Sequence, residues 1–361
     1  MKKTARIAAV ACIAALSLAG CGDRPAEETD ETAASDTAST PESESAEPTA
    51  EPVDFKACMV SDSGGFDDKS FNQTSYKGLQ DAKSTLGVET GEVESQSDTE
   101  YGDNIQAMVD AECNSVTTVG FLLGDATLAA AKANKDVDFS IVDFAYEKAP
   151  KNLKGLIFNT AEPSFLAGYL AAAKSESGTV GTFGGLNIPT VTSFMTGYMQ
   201  GVERFNEDTG GDVQLLGWDG TDGSFTEDFE DKTKGQAVAE QMIQQGADVI
   251  FPVAGPAGLG GLQAAQDADV KAIWVDTDGC VSAAEYCDVL LTSVVKGMDV
   301  AVTQAISESL EENFSNELYV GTLENEGVGL APYAEGEVDE ELTATLEDLK
   351  AQIVAGEIKT G

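Results

Sequence analysis

The segment ACMVSDSGGFDDKSFNQTSYKGL (57–79) passes from an apolar run, through a polar turn, into a stretch with helical spacing. The run 57–60 favours a buried strand, and the helical spacing begins at Tyr76. The turn contains carboxylates, amides and the rings of Phe66 and Phe71. Because ligands of open α/β folds bind beyond the carboxyl ends of strands, this unit predicts both the fold class and the position of a binding site.

The same alternation recurs along the chain. Further apolar runs typical of strands lie at 115–123, 139–144, 155–159, 179–185, 213–218, 248–254, 271–276 and 289–295. Segments with helical spacing lie between most of them, at 76–86, 104–113, 164–174, 191–205, 232–245 and 259–268. Strands that alternate with helices predict an α/β fold with parallel sheets whose faces are covered.

Several of the predicted strands end in a charged side chain. These side chains are Asp62, Asp143, Asp276 and Lys296. Carboxylates and an amine at repeated strand ends indicate a shared cleft. The alternative is that the aspartates cap the helices that follow them, and capping is the expected role of Asp67 and Asp68.

The composition excludes several classes of function. The chain has 63 acidic and 21 basic residues and a formal net charge of −42, which argues against DNA, RNA or anionic lipid as a partner. It has no histidine, which excludes Ser-His-Asp, Cys-His and HExxH chemistry. The glycine-rich run PAGLGGLQAA (256–265) does not form GxGxxG. We therefore predict a protein without catalytic activity, cofactor or metal, with an enzyme as the weaker alternative.

The amino terminus predicts export and anchoring. A basic start, MKKTAR (1–6), precedes the short apolar run 7–19, which ends in small residues just before Cys21. This pattern resembles a bacterial lipoprotein signal peptide, which implies a signal peptide over 1–20 and lipidation of Cys21. A transmembrane anchor, the alternative, would need about 20 apolar residues. We therefore expect an extracytoplasmic protein attached to the cell membrane by lipid.

Residues 21–54 have the composition of a tether. From residue 23 onward they are largely Glu, Asp, Ser, Thr, Ala and Pro, with no aromatic residue. Such a segment cannot bury enough apolar surface to offset the entropy of ordering. We predict a disordered acidic tether between the lipidated cysteine and a globular body that begins at Phe55.

Four cysteines belong to the predicted body, at positions 58, 113, 280 and 287. An even number in an oxidising compartment indicates two disulfides, for which three pairings are possible. The short separation of Cys280 and Cys287 favours a local loop, which leaves Cys58 with Cys113. Free buried thiols are the alternative.

Motifs spread over the whole body carry a resemblance to a known family. In chain order they are VSDSGGFDDKSFNQTSYKGL (60–79), TVGFLLGDAT (118–127), QGADVIFPVAGPAGLG (245–260), VDTDG (275–279), LTSVVKGMDVAV (291–302) and NEGVGLAPY (325–333). They resemble the basic membrane protein family, the PnrA-like solute-binding lipoproteins of ABC transporters. The resemblance implies a type I periplasmic-binding-protein fold, in which two Rossmann-like lobes with parallel sheets are joined by three crossovers. The amino-terminal lobe would hold 55–158 and 297–317, and the carboxyl-terminal lobe 159–296 and 318–361.

The resemblance also implies a ligand and its contacts. Family members whose ligands are known bind purine nucleosides. The family's ligand-binding positions match Asp62, Phe71, Asn72, Asp143, Phe251, Asp276 and Lys296. Phe71 and Phe251 would sandwich the base, and Asp276 with Lys296 would bind the ribose. The alternative for both rings is packing in the core, and it applies more strongly to Phe251, which lies inside an apolar run. Pro256 departs from the family, which commonly has glycine there, and it lacks a backbone N–H that could bind a ligand.

Together these expectations describe a binding protein. A purine has apolar faces and polar edges, so rings can stack on it while amides and carboxylates meet its edges. Several carboxylates in one cleft should disfavour a phosphate, which predicts nucleosides over nucleotides. We expect a monomer that binds adenosine, guanosine or inosine and works with an ABC permease in the cytoplasmic membrane. The alternative is the same fold around another small polar ligand, such as a sugar or autoinducer.

Overall fold

Two six-stranded sheets organise residues 50–361, the part of the chain that the computed structural model describes. The strands are β1 (Lys56–Ser61), β2 (Glu89–Glu94), β3 (Ser115–Val119), β4 (Asp138–Val142), β5 (Leu153–Phe158), β6 (Thr179–Gly184), β7 (Gln214–Leu216), β8 (Val249–Val253), β9 (Lys271–Asp276), β10 (Leu290–Lys296), β11 (Tyr319–Gly321) and β12 (Val328–Leu330). The helices are α1 (Phe71–Leu86), α2 (Tyr101–Asp110), α3 (Gly124–Ala133), α4 (Ala161–Lys174), α5 (Pro189–Thr209), α6 (Lys232–Gln244), α7 (Gly255–Ala268), α8 (Gly279–Ser282), α9 (Met298–Leu310) and α10 (Glu340–Val354).

The first sheet forms the first lobe. Its strand order is β11-β5-β4-β3-β1-β2, and every neighbouring pair is parallel. Its central strand β3 is buried along its whole length, as expected for a parallel strand covered on both faces. Helices α1 and α9 pack together, and α9 also packs on β3, β4 and β5. The carboxyl ends of these parallel strands therefore meet at one edge of the lobe.

The second sheet forms the second lobe. Its order is β12-β10-β9-β8-β6-β7, and all pairs are parallel except β12 with β10. Helix α4 packs on α5, and α6 packs on α7. The predicted α/β class with two lobes and mainly parallel sheets is confirmed.

The chain passes between the lobes three times, from β5 to α4, from β10 to α9, and from β11 to β12. One boundary differs from the prediction, which placed 318–361 in the second lobe. Strand β11 pairs with β5 in the first sheet, with Tyr319 opposite Leu156. The third passage therefore follows Gly321. A three-residue strand shows no sequence pattern that identifies its distant partner.

The predicted tether also ends before residue 54. The Ala50 N–H donates to Ser84 O at 2.9 Å, and the Val53 N–H donates to Gly87 O at 3.0 Å. Carbonyls at the carboxyl end of a helix such as α1 lack intrahelical partners. They can therefore accept hydrogen bonds from the N–H groups of this segment. The predicted signal peptide, the lipidation of Cys21 and the tether up to residue 49 lie outside the described residues. Within 50–361, no helix is both long and apolar enough to span a bilayer.

Both favoured cysteine pairs are disulfides. Cys58 of β1 is joined to Cys113, just after α2, with 6.0 Å between their Cα atoms. Cys280 is joined to Cys287 with 4.6 Å between their Cα atoms. The first disulfide ties β1 to the segment just after α2, a helix that packs on β1, and the second closes a short loop between β9 and β10.

Candidate functional site

A cavity lies between the lobes, at the carboxyl edges of both sheets. Ligand sites of open α/β folds commonly lie in clefts at this edge. Both lobes contribute walls, and the side chains of chemical interest are Asp62, Asp68, Phe71, Asn72, Phe121, Asp143, Phe194, Phe229, Pro256, Asp276 and Lys296. The structure thus brings six of the seven predicted ligand-binding residues to one cavity, and the exception is Phe251.

Asp62 and Asn72 form a polar pair on the first-lobe wall. Asn72 Nδ2 donates to Asp62 Oδ1 at 3.0 Å and to Ser63 O at 3.1 Å, which uses both of its N–H bonds. Burial is the main cause that raises the pKa of Asp62 to about 8, the carboxylates of Asp68 and Asp143 add to it, and the Asn72 hydrogen bond opposes it. Burial therefore favours the protonated form of this carboxyl group.

Gly120, at the end of β3, leaves room for the Asp62 carboxyl group. Its φ of +122° favours glycine, and a Cβ at this position would collide with Asp62 Oδ2. A larger residue here would displace the carboxyl group from the cavity wall.

The Asp68 side chain caps the amino-terminal end of α1. Its carboxylate accepts from the backbone N–H groups of Ser70, Asn72 and Gln73 at 2.8–2.9 Å. These are donors that a helix amino terminus leaves without intrahelical partners. Burial raises the pKa of Asp68 to about 6 against the effect of these bonds. The predicted capping role applies to Asp68, whereas Asp67 pairs with Lys69 at the surface.

Lys296 is the centre of the charged part of the cavity. Its Nζ lies 2.6 Å from Asp143 Oδ2 and 3.8 Å from Asp276 Oδ1, and its side chain is 1% exposed. The same Nζ lies 4.7 Å from the ring centroid of Phe71 and 5.7 Å from that of Phe194. A buried ammonium group is therefore held by two carboxylates and by aromatic faces.

The two carboxylates beside Lys296 come from equivalent turns. Asp143 follows β4 with φ +66°, and Asp276 ends β9 with φ +69°. The left-handed region is unusual for a residue other than glycine, although aspartate tolerates it better than most. In both lobes the chain turns sharply at the strand end and brings a carboxylate to the ammonium group. Burial raises the pKa of Asp276, and Lys296 opposes this rise.

Direct bonds join the lobes beside the cavity. Ser70 Oγ, from the first lobe, donates to Asp276 Oδ2 at 2.7 Å. Trp274 Nε1, from β9, donates to Lys69 O at 3.1 Å. Together with the pair between Lys296 and Asp143, these bonds hold the two walls close to each other, so an opening motion must break them.

Phe251 does not line the cavity, contrary to the prediction. It lies in the middle of β8, is 0% exposed, and packs against the rings of Tyr198 and Phe194 at 5.1 and 6.4 Å between centroids. A side chain in the interior of a covered strand packs against the helices on that face, here α5. Phe251 is a core residue of the second lobe.

The aromatic residues that do line the second-lobe wall are Phe194 of α5 and Phe229. Phe229 lies in the acidic loop before α6, and its carbonyl accepts from the Ala257 N–H at 2.8 Å, at the start of α7. Pro256 also lines the cavity at this helix start, where its missing N–H costs no intrahelical bond. The sequence offers no local signal for Phe229, since the loop around it has no regular pattern.

Two α/β lobes that enclose a polar and aromatic cavity at the carboxyl edges of their sheets define the class of two-lobed solute-binding proteins. The chain belongs to the family of ABC transporter substrate-binding proteins described as PnrA-like, whose family model matches residues 55–361. Proteins of this family are extracytoplasmic substrate-binding proteins of ABC transporters and not enzymes. Two solved structures with a similar fold are likewise solute-binding proteins of ABC transporters. The predicted family and the predicted lack of catalytic activity are confirmed.

Individual relatives agree with this assignment. The "CD4+ T-cell-stimulating antigen" of Listeria monocytogenes is 30% identical over 85% of this chain and 88% of its own length. The "ABC transporter nucleoside-binding protein BmpA" of Lactococcus lactis is 34% identical over 58% of this chain and 57% of its own. Among solved structures, an ABC transporter solute-binding protein from Aeropyrum pernix superposes with a TM-score of 0.76 at 26% identity, over 84% of this chain and 92% of that chain.

Proposed function

We propose that this protein binds purine nucleosides in the cavity between its lobes and delivers them to an ABC permease. The observation that carries the proposal is that both lobes contribute aromatic rings to one cavity, Phe71 from the first and Phe194 and Phe229 from the second. Rings from opposite walls can cover both faces of a flat base, and stacking contributes about 1–3 kcal/mol per base. The Lactococcus lactis relative is named a nucleoside-binding protein, which supports the same ligand class.

The charged part of the cavity fits the sugar of a nucleoside. Asp143 and Asp276 can accept hydrogen bonds from ribose hydroxyls, and Lys296 can donate to a ribose oxygen. A phosphate would instead meet these carboxylates together with that of Asp68 and the carboxyl group of Asp62. Nucleosides are therefore expected to bind more tightly than nucleotides.

The test is to identify the ligand directly. Purified protein would be denatured and the released small molecules analysed by mass spectrometry, and calorimetry would then compare adenosine, guanosine and inosine with ribose and with adenosine monophosphate. We expect a released purine nucleoside, and binding of nucleosides but not of ribose or the monophosphate. Recovery of a sugar or an autoinducer, with no heat from any nucleoside, would overturn the proposal in favour of that alternative ligand.

The proposal includes attachment to the membrane through a lipid on Cys21. It rests on the short apolar run 7–19 before Cys21 and on the acidic, proline-containing segment that follows. In cells fed a clickable fatty acid, Cys21→Ser should lose the label and move to the soluble fraction. Cys12→Ser, within the apolar run, is the matched control and should keep both label and membrane fraction. A labelled Cys21→Ser protein would contradict the anchor.

A further inference from the structure

Hydrogen-bond acceptors remain free beside the rings that would cover the base. Asn72 Oδ1 is buried and has no partner among residues 50–361. The orientation of this amide is determined, because both partners of Nδ2, Asp62 Oδ1 and Ser63 O, are acceptors. Asp62 Oδ2 also receives no hydrogen bond from the described residues. A ligand bound here would therefore meet Asn72 Oδ1 as an acceptor and Asp62 Oδ2 as a group whose character depends on its proton.

We propose, building on the nucleoside-binding function proposed above, that Asp62 is the specificity-determining residue of the cavity and that its protonation selects between two classes of purine nucleoside. Ionised Asp62 and Asn72 Oδ1 present two acceptors, which match the N1–H and 2-amino donors of guanine. Protonated Asp62 presents an O–H donor beside the Asn72 acceptor, which matches the N1 acceptor and 6-amino donor of adenine.

The surroundings of Asp62 make both protonation states accessible. The titratable groups that face it are Asp68 before α1, Asp143 after β4 and Tyr101 of α2, whereas Lys296 pairs with Asp143 and not with Asp62. Burial and the two carboxylates favour the protonated form and bring the pKa to about 8. An N1–H donor in the cavity favours the ionised form. Guanosine must therefore displace the proton at pH 7, and adenosine retains it.

Calorimetry in buffers of different ionisation enthalpy measures this proton directly in the unmodified protein. At pH 7 we expect guanosine to release about one proton per molecule bound and adenosine to release close to none. Raising the pH through about 8 should therefore increase the ratio of guanosine affinity to adenosine affinity. Proton release and the pH-dependent affinity ratio both require Asp62 to ionise. A residue with a merely structural role would produce neither of them.

Asp62→Asn removes the titration while retaining the shape of the side chain. The new amide would use its oxygen for Asn72 Nδ2 and turn its N–H₂ group to the base, which suits adenine at every pH. We expect the ratio of adenosine affinity to guanosine affinity to rise about tenfold or more, to become independent of pH, and the proton release to vanish. Asp67→Asn is the matched control, because it removes a carboxylate that is 83% exposed and paired with Lys69 at the surface. It should leave the proton count and the ratio unchanged.

The outcomes separate this inference from the function on which it rests. If neither nucleoside binds the unmodified protein, the nucleoside function itself fails and Asp62 has no base to select. If both bind, but guanosine releases no proton and Asp62→Asn leaves the ratio unchanged, the selection by Asp62 is overturned and the nucleoside function stands.

Discussion

A single ammonium group, Lys296 Nζ, holds carboxylates from both lobes, Asp143 from the first and Asp276 from the second. All three side chains are nine-tenths buried or more. A buried ion pair contributes little compared with well-packed apolar groups, but removing one partner leaves an uncompensated charge. The same three groups are therefore decisive for stability as well as for the proposed ribose contacts.

Lys296→Met should lower the free energy of unfolding by about 3–5 kcal/mol, because the buried carboxylates lose their counter-charge. Guanidinium chloride unfolding would measure it. Lys77→Met is the matched control, since Lys77 pairs with two aspartates but is 58% exposed, and its loss should cost less than about 1 kcal/mol. Adding Asp143→Asn to Lys296→Met should recover part of the loss. A double variant that is less stable than Lys296→Met alone would contradict this explanation.

Phe229 and Phe251 allow the ring assignment to be tested by two matching substitutions. Phe229→Leu should weaken nucleoside binding by about tenfold or more with little loss of stability, because a stacking face is removed from the cavity wall. Phe251→Leu should lower stability by about 1 kcal/mol or more and leave affinity nearly unchanged, because this ring belongs to the core. Titration calorimetry and thermal unfolding of both variants measure the two effects. The reverse pattern would return Phe251 to the site.

At the scale of elements, the apolar runs predicted nine strands of the two sheets, whereas β2 and the three-residue strand β12 were missed. Strand β2, ETGEVE, pairs only with β1 at the sheet edge and is half-exposed, so it lacks an apolar pattern. The predicted strand 115–123 was too long, because β3 ends at Val119 and residues Phe121–Leu123 form a 3-10 helix. Helix α10 was overlooked, although Leu342, Leu346, Leu349 and Ile353 have helical spacing.

The two disulfides should differ in their effect on stability. Cys58 and Cys113 are 55 residues apart, whereas Cys280 and Cys287 are 7 apart. Loop-closure entropy then predicts that the free energy of unfolding falls by about 4 kcal/mol in the double variant Cys58→Ala with Cys113→Ala. In the double variant Cys280→Ala with Cys287→Ala it should fall by about 2 kcal/mol. Denaturant unfolding of the two double variants tests this order. Equal losses would show that chain entropy is not the dominant contribution.

At the scale of the whole molecule, 63 acidic residues against 21 basic ones create a strong negative field. Mutual repulsion among these charges opposes the compact state, and salt screens it. We expect the melting temperature to rise by several degrees between about 0.05 M and about 1 M NaCl. Potassium chloride is the control for specific ion effects and should act equally. A melting temperature that is constant or falls with salt would contradict the role of repulsion.

The sequence by itself determined the α/β class, the family and most of the strand-end residues of the cavity. The reason is physical: in parallel sheets the side chain that follows a buried strand must appear at the same sheet edge as its neighbours, so Asp62, Asp143, Asp276 and Lys296 could be located from apolar runs alone. The resemblance to the family identified Phe71 and Asn72 as further site residues. Both lie in one continuous motif, at the start of the helix that follows β1 and its turn.

Only the tertiary structure decided what non-local packing controls. It placed Phe251 in the core, because burial in a strand depends on the helices that cover the strand. It placed Phe229, a loop residue, at the cavity. It paired β11 with the first sheet, and among residues 50–361 it left Asn72 Oδ1 without a partner beside Asp62, whose pKa is raised by burial. The pKa of a carboxyl group, and whether an amide oxygen finds a hydrogen-bond partner, depend on the atoms that surround these groups in space. Those atoms come from distant parts of the chain.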